Sequence, residues 1–113
     1  MPSFTKTHAE DFAKKLKRKP ADEHLPRLEV REVKDGPHVI QEIWCDSKFV
    51  YSFGIKHGSN RNASHGWVAR NLNIRPHDAY EFAVCNITID TMIQMFVDKG
   101  DIEMPADKAE NEQ

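Results

Sequence analysis

The chain has 113 residues, 39% of them hydrophobic and 30% charged, and its formal net charge is −2. This length suits one domain with one buried core and leaves no room for two ordinary domains. No apolar run approaches the roughly 20 residues that span a bilayer, and the first residues lack the apolar segment of a signal peptide, so we expect a cytoplasmic protein without membrane insertion. Cys45 and Cys85 stand in apolar runs and are expected to be buried thiols.

A helix is predicted first along the chain. Thr7 to Glu10 fits a capping box, in which the hydroxyl accepts a hydrogen bond from a first-turn amide and the glutamate reaches back. Apolar residues then recur at helical spacing as far as Leu16. Because the residue before a proline is pushed out of the helical region, Pro20 requires this helix to end by Lys19.

Three strands are predicted next, rich in β-branched and aromatic residues. They are LEVREV from Leu28, HVIQEIWC from His38 and FVYSFGI from Phe49. Turn signals separate them at Asp35-Gly36-Pro37 and Asp46-Ser47-Lys48. In the third strand Phe49, Tyr51, Phe53 and Ile55 alternate and are expected on one face. The connections predict an antiparallel meander.

Three short helices are predicted after the third strand. Ser64 is expected to cap the first, Pro76 suits the first position of the second, and Thr88 caps the last. Gly100 stands where a C-terminal glycine belongs. The predicted fold is therefore α+β in the order α-β-β-β-α-α-α, with one domain over residues 1–102. Residues 103–113 are expected to form an acidic disordered tail.

Charge is unevenly distributed along the chain. Lys14 to Lys19 reads KKLKRK, and Ser47 to His77 contains five lysines or arginines, three histidines and no acid. Such segments are either solvated surface or positive patches that neutralise phosphates, although the overall acidity weighs against the second interpretation. The residues predicted to contact nucleic acid are Lys14, Lys15, Arg18, His38, Lys56, His57, Arg61, His65 and Arg70.

Several of these features resemble the double-stranded-RNA-binding domain. The resemblance covers about Ala9 to Asn73 and includes the element order helix, three strands, helix. It is carried by Pro26 before the first strand, a Gly36-Pro37-His38 turn, the glycines at Gly54 and Gly58-Ser59, and Ala69-Arg70 in the following helix. It implies recognition of duplex RNA by shape, 2′-hydroxyls and phosphates. Where the family has a lysine-rich second helix, this chain has SHGWVAR.

Two further nucleic-acid hypotheses remain open. A helix-turn-helix over Ser64–Asn73 and Pro76–Val84 would direct side chains into the DNA major groove, namely Arg75, His77, Tyr80 and Glu81. A ribonuclease would use His57 and His65, which flank Arg61, as acid and base, and small ribonuclease toxins share the predicted topology.

A protein-interaction module is the remaining alternative. Met92, Met95 and Met104 could line an adaptable surface, and an exposed sheet edge could pair with a partner strand. The cysteines and histidines lack Cys-x-x-Cys and His-x-x-x-His spacing, so no metal or cofactor is expected. The sequence favours a small non-enzymatic protein that binds nucleic acid, RNA in preference to DNA.

Overall fold

A computed structural model describes residues 4–58, 60 and 62–103 of the chain. The elements are α1 (Lys6–Leu16), β1 (Glu29–Asp35), β2 (His38–Cys45), β3 (Lys48–Lys56), α2 (Trp67–Asn71), α3 (Pro76–Ala83) and α4 (Ile89–Asp98). The predicted α+β layout is confirmed. The predicted disordered tail falls, from residue 104 onward, outside the described residues. No helix in the described part of the chain has the length and apolar content to cross a membrane.

The sheet is an antiparallel meander in the order β1-β2-β3. A two-residue turn at Asp46 and Ser47 joins β2 to β3, and both residues have positive φ angles, of 51° and 65°. Two consecutive residues in this region form the type I′ turn whose twist matches that of the strands. Gly36, with φ of 60°, serves the turn between β1 and β2. Both turn predictions are therefore confirmed.

A register shift changes the face on which Phe49 lies. Ile43 pairs with Tyr51, but the next residue of β2, Trp44, pairs with Phe49, so Val50 is an extra residue on β3. Such a bulge turns the residues beyond it toward the other face. Phe49 is 52% exposed and its ring contacts that of Trp44, with centroids 5.7 Å apart. The expectation that Phe49 shares a face with Tyr51 is wrong for this reason.

The helices cover one face of the sheet and enclose the core. Phe12 of α1 lies at its centre, with ring centroids 5.8 Å from Phe53 of β3 and 5.0 Å from Phe82 of α3. Phe96 of α4 lies 4.9 Å from the ring of Tyr51. On the opposite face, which we call the open face, Trp67 of α2 packs at one end against His38 and Gly54, and the strand residues are exposed or half-buried.

Two local predictions are wrong at the termini of α1 and α2. The first helix is capped by Thr5, whose hydroxyl accepts from the amide of His8, while the His8 ring accepts from the Thr5 amide at 3.0 Å. The capping box thus lies two residues before Thr7, because histidine performs the role expected of glutamate. Ser64 does not cap α2; it forms an isolated bridge with Thr5.

The C-terminal helices begin where the sequence predicts. Pro76 occupies the first turn of α3 and Thr88 caps α4 by accepting from the amide of Thr91. Gly100 follows α4 with φ of 85°, as expected of a C-terminal glycine. Cys45 is a buried free thiol, as predicted, but Cys85 is exposed because α3 ends before it and the chain turns there. The prediction for Cys85 is wrong.

Candidate nucleic-acid interface

A cleft of about 410 Å³ lies between α1 and the end of the sheet, and we call it the α1–sheet cleft. One helical face of α1 forms its first wall, because positions 6, 10, 14 and 17 recur at three- and four-residue intervals. The end of β3 forms the opposite wall, with Val39 and Ile55 between the two. The charged lining residues are Lys6, Glu10, Lys14, Lys17, Glu32 and Lys56, with His57 beside them.

The charge of this cleft is positive although the chain as a whole is acidic. Four lysines and two glutamates line it, a formal excess of two positive charges before His57 is counted. The ammonium group of Lys56 lies 5.7 Å from the centre of the Trp67 ring, so Lys56 stands at the margin between this cleft and the open face. Lys6 also donates a hydrogen bond to the carbonyl of Gly58, which ties the start of α1 to the loop after β3. The excess of ammonium groups on this surface suits it to an anionic ligand.

Gln41 lies at the base of the cleft with only part of its hydrogen-bonding capacity used. Its side chain is 2% exposed, and its amide nitrogen donates to Glu32 at 3.1 Å. Its oxygen is buried and has no hydrogen-bond partner in the described part of the chain. A buried acceptor without a partner costs about 1–3 kcal/mol, so this oxygen is an unusual feature of an otherwise apolar floor.

Of the nine residues predicted to contact nucleic acid, the structure brings three to the α1–sheet cleft. They are Lys14, Lys56 and His57. The amide of His57 donates to the carbonyl of Pro37 at 2.9 Å, which holds the end of β3 against the first turn of the sheet. Cations from two segments that are distant in sequence thus share one surface.

Three other predicted residues lie elsewhere on the surface. His38 is half-buried on the open face, against Gly54, where an added Cβ would come within 3.3 Å of its ring. Arg18 lines a separate cleft with Asp90 and Cys85. Arg70 is exposed on α2 and does not line the α1–sheet cleft. Arg61 lies outside the described residues.

His65 is inaccessible to a ligand, so its predicted contact is wrong. The ring is fully buried, and its Nε2 accepts from the amide of Lys56 at 3.1 Å. Its Nδ1 lies 2.9 Å from the carbonyl of Ala63, which can only accept, so Nδ1 carries the proton. Trp67 stacks on it at 4.5 Å. His65 is a structural residue that joins β3 to the following loop.

Lys15 is likewise buried, and its predicted contact with nucleic acid is wrong. It is 8% exposed and its ammonium group donates to the carbonyl of Ala83, the last residue of α3. One helical step of about 100° separates it from Lys14, and this rotation directs the two side chains to different surfaces. The basic run KKLKRK is thus divided between a cleft and a helix terminus.

Lys6 and Gln41 are two of the cleft residues that were not among the nine predicted from the sequence. The spacing of Lys6, Glu10 and Lys14 at four-residue intervals is a signal that places Lys6 on the same helical face as Lys14. Gln41 offered no comparable signal, because its position in a strand reveals neither the cleft above it nor the missing partner.

The burial of His65 also bears on the hypothesis that His57 and His65 act as acid and base in a ribonuclease. A histidine pair in the loop after β3 would need two accessible rings, whereas only His57 is exposed and His65 is enclosed. No group of three or more histidine, cysteine or acidic side chains that could hold a metal ion occurs among the residues described by the structure.

Comparison with known proteins gives no family for this chain. A scan against models of protein families, a search of curated proteins and a search of solved structures each found no match. The resemblance to the double-stranded-RNA-binding domain therefore stays a prediction from the sequence.

Proposed function

We propose that this protein binds nucleic acid, RNA in preference to DNA, through the phosphates at the α1–sheet cleft, and that it does not catalyse a reaction on it. The observation that carries the proposal is the convergence of Lys6, Lys14 and Lys17 of the first helical segment with Lys56 of β3 on one cleft. Most contacts between proteins and nucleic acids go to phosphates, and lysines supply many of them.

The dimensions of the lysine row fit a nucleic-acid backbone. Lys6 and Lys17 stand eleven residues apart, which corresponds to about 16 Å along a helix axis. If the helix lies parallel to the axis of a B-form duplex, that length covers about five phosphate steps of one strand. Glu10 within the row and Glu32 on β1 limit the number of phosphates that can be held at once, so we expect about three to four contacts rather than more.

The preference for RNA rests on the resemblance described from the sequence and on the shape of the molecule. A helix beside a three-stranded sheet can lie across the wide, shallow groove of an RNA helix, where 2′-hydroxyls and phosphates are accessible. The open face contributes no row of cations that would favour a second site, since the acids Glu29, Asp35 and Glu42 alternate there with the cations.

A titration of fluorescent duplex RNA with the full chain at several salt concentrations tests the proposal. With three to four phosphate contacts, the logarithm of the affinity should fall against the logarithm of the salt concentration with a slope of about −3. DNA of the same sequence should bind more weakly. Absence of binding at low salt, or an affinity that does not change with salt, would contradict the proposal.

A protein-interaction role is the second candidate, and one observation favours it. Phe49 is 52% exposed on the open face, and its ring contacts that of half-buried Trp44, with centroids 5.7 Å apart. Exposed apolar side chains grouped in this way often mark a protein contact. A partner bound there should be retained at high salt, and substitution Phe49→Ser should release it, whereas nucleic acid bound at the α1–sheet cleft should be unaffected by Phe49→Ser.

A further inference from the structure

The exposed edge of β1 carries a charge sequence that is complementary to itself. β1 pairs only with β2 in the described sheet, so its other edge presents unpaired backbone groups. Residues 31 to 35 read Arg-Glu-Val-Lys-Asp, and all five are exposed. If a second copy pairs antiparallel with its centre at Val33, Arg31 meets Asp35 and Glu32 meets Lys34 on each side of the centre.

We propose that β1 of two copies of this chain pair about Val33, forming a two-fold symmetric dimer with a continuous six-stranded sheet. Symmetry makes every contact occur twice, so the pairing contains two Arg31–Asp35 contacts, two Glu32–Lys34 contacts and one Val33–Val33 contact. Directly opposite residues of opposite charge stabilise antiparallel strands, and like charges destabilise them. Isologous dimers of this kind are the commonest oligomers.

Other registers of the same edge are unfavourable. In an antiparallel pair, residues directly opposite each other lie on the same face of the sheet. A two-fold axis normal to the sheet therefore passes between the two copies of one residue, and this residue is the centre of the pairing. A centre at Arg31, Glu32, Lys34 or Asp35 places that charge directly against itself. A centre at Glu29 likewise opposes that charge to itself, and a centre at Val30 leaves β1 from Glu32 onward without a strand residue opposite it. Of the centres within β1, only Val33 opposes each of the four charges of residues 31–35 to an unlike charge.

The side chains involved are available for this contact. Within the described residues, Lys34 and Asp35 make no ion pair or side-chain hydrogen bond. Glu32 accepts from Gln41 and keeps its second carboxylate oxygen, while Arg31 pairs with Glu29 and lies 4.2 Å from the Trp44 ring centre. Val33, at the centre, is exposed, and among the described residues Phe49 is the other large apolar side chain that is exposed.

The opposite edge of the sheet does not offer the same pairing. β3 contains no acidic residue, so pairing it with itself creates no attraction between charges and opposes Lys48 to Lys56 when centred on Ser52. The indole of Trp67 also donates to the carbonyl of Gly54 at 2.7 Å, which occupies one backbone acceptor of β3. The contrast between the two edges indicates that complementarity is specific to β1.

Sedimentation velocity of the full chain provides the test. At about 100 µM, where an interface of micromolar affinity is mostly occupied, the protein should sediment as a dimer and dissociate on dilution or in high salt. The variant Lys34→Glu with Asp35→Arg turns all four charge contacts into repulsions and should weaken the dimer by at least about thirtyfold. The control Lys19→Glu with Glu23→Lys exchanges the same kinds of charge in an exposed connector and should dimerise normally.

A second variant restores the complementarity in a mixture. A chain with Arg31→Asp and Glu32→Lys repels its own copy, but every charge in it is opposite to its partner in the Lys34→Glu, Asp35→Arg chain. The two monomeric variants should therefore form a heterodimer when mixed. A monomeric natural chain at about 100 µM in low salt, or a dimer that the first variant leaves intact, would overturn the proposal. If the second variant does not fold by circular dichroism, the first variant and its control decide the matter.

Discussion

Lys14 and Lys15 are adjacent in α1, but the rotation of one helical step directs Lys14 to a binding surface and Lys15 to the interior. Lys14 is exposed in the α1–sheet cleft, whereas Lys15 is buried and donates to the last carbonyl of α3. The final carbonyls of a helix have no partner within it and carry partial negative charge, so an ammonium group there satisfies an acceptor and stabilises the helix terminus.

We therefore expect the two alanine substitutions to affect different properties, Lys15→Ala the stability and Lys14→Ala the binding of RNA. Lys15→Ala should lower the free energy of unfolding by about 1–2 kcal/mol, because Ala83 loses its partner and the buried stem is removed. Lys14→Ala should change stability by less than about 0.5 kcal/mol and weaken RNA binding. Urea denaturation and the RNA titration measure the two effects; equal stability losses would contradict the assignment of Lys15 to the interior.

The two histidines near the end of β3 offer a similar contrast. His65→Ala should lower the free energy of unfolding by about 3 kcal/mol, because it removes two buried hydrogen bonds and leaves a cavity beneath Trp67. His57→Ala, at an exposed position, should change it by less than about 0.5 kcal/mol. Thermal or urea unfolding of both variants checks this difference. A stable His65→Ala protein would show that the ring does not hold the loop to β3.

At the scale of elements, the end of α4 is joined to the sheet by a polar cluster of Tyr51, Lys99 and Asp101. The Tyr51 hydroxyl donates to Asp101, whose carboxylate also lies 3.1 Å from the Lys99 ammonium. Lys99 donates in addition to the carbonyl of Leu72 at 2.6 Å, beyond the last residue of α2. The hydrogen bond from Tyr51 and the charge of Lys99 hold the pKa of Asp101 below its ordinary value of 3.8.

This pKa determines how the cluster responds to acid. Because the folded-state pKa of Asp101 lies below the unfolded value, its stabilisation is fully present above about pH 4 and is lost as the pH falls through the folded pKa. Asp101→Asn should therefore be less stable than the natural chain at pH 7 and should lose less stability between about pH 5 and pH 2. Urea midpoints across this range measure the effect. Parallel declines in the two proteins would show that Asp101 does not contribute.

The elements were predictable to the extent that their signals are local. Strand β2 has the predicted bounds, and Pro76 and Thr88 begin their helices as expected, since proline geometry and hydroxyl caps act within one turn. The bulge beside Ile43 was not predictable, because the alternation of Phe49 with Tyr51 reads as an unbroken strand. The extra residue, Val50, becomes apparent only when β3 is paired with β2.

The candidate site was predictable only in part, because burial is decided by tertiary packing. The charge pattern identified Lys14, Lys56 and His57, which do share a cleft. It also selected Lys15 and His65, whose burial depends on α3 and on the carbonyl of Ala63, and neither is visible in their own segments. A run of cations thus predicts positive surface without showing which members reach it.

At the scale of the whole molecule, an acidic chain keeps a local positive surface by placing its charges on different faces. The α1–sheet cleft gathers lysines from α1 and β3, while the edge of β1 alternates acids and bases. The proposed dimer would leave one such cleft in each copy. Glu32 belongs to both surfaces, but Lys34→Glu with Asp35→Arg alters no residue that lines the cleft, so this variant should lose self-association and keep nucleic-acid binding.

The most direct test of the proposed function compares salt slopes. Duplex RNA is titrated across a salt series with the natural chain, with Lys14→Ala plus Lys56→Ala, and with Arg70→Ala plus Lys19→Ala as a control that removes two exposed cations outside the cleft. Loss of two phosphate contacts should make the slope shallower by about two for the cleft variant, and the control should keep the natural slope. An unchanged slope in the cleft variant, or an equal change in the control, would contradict binding at the α1–sheet cleft.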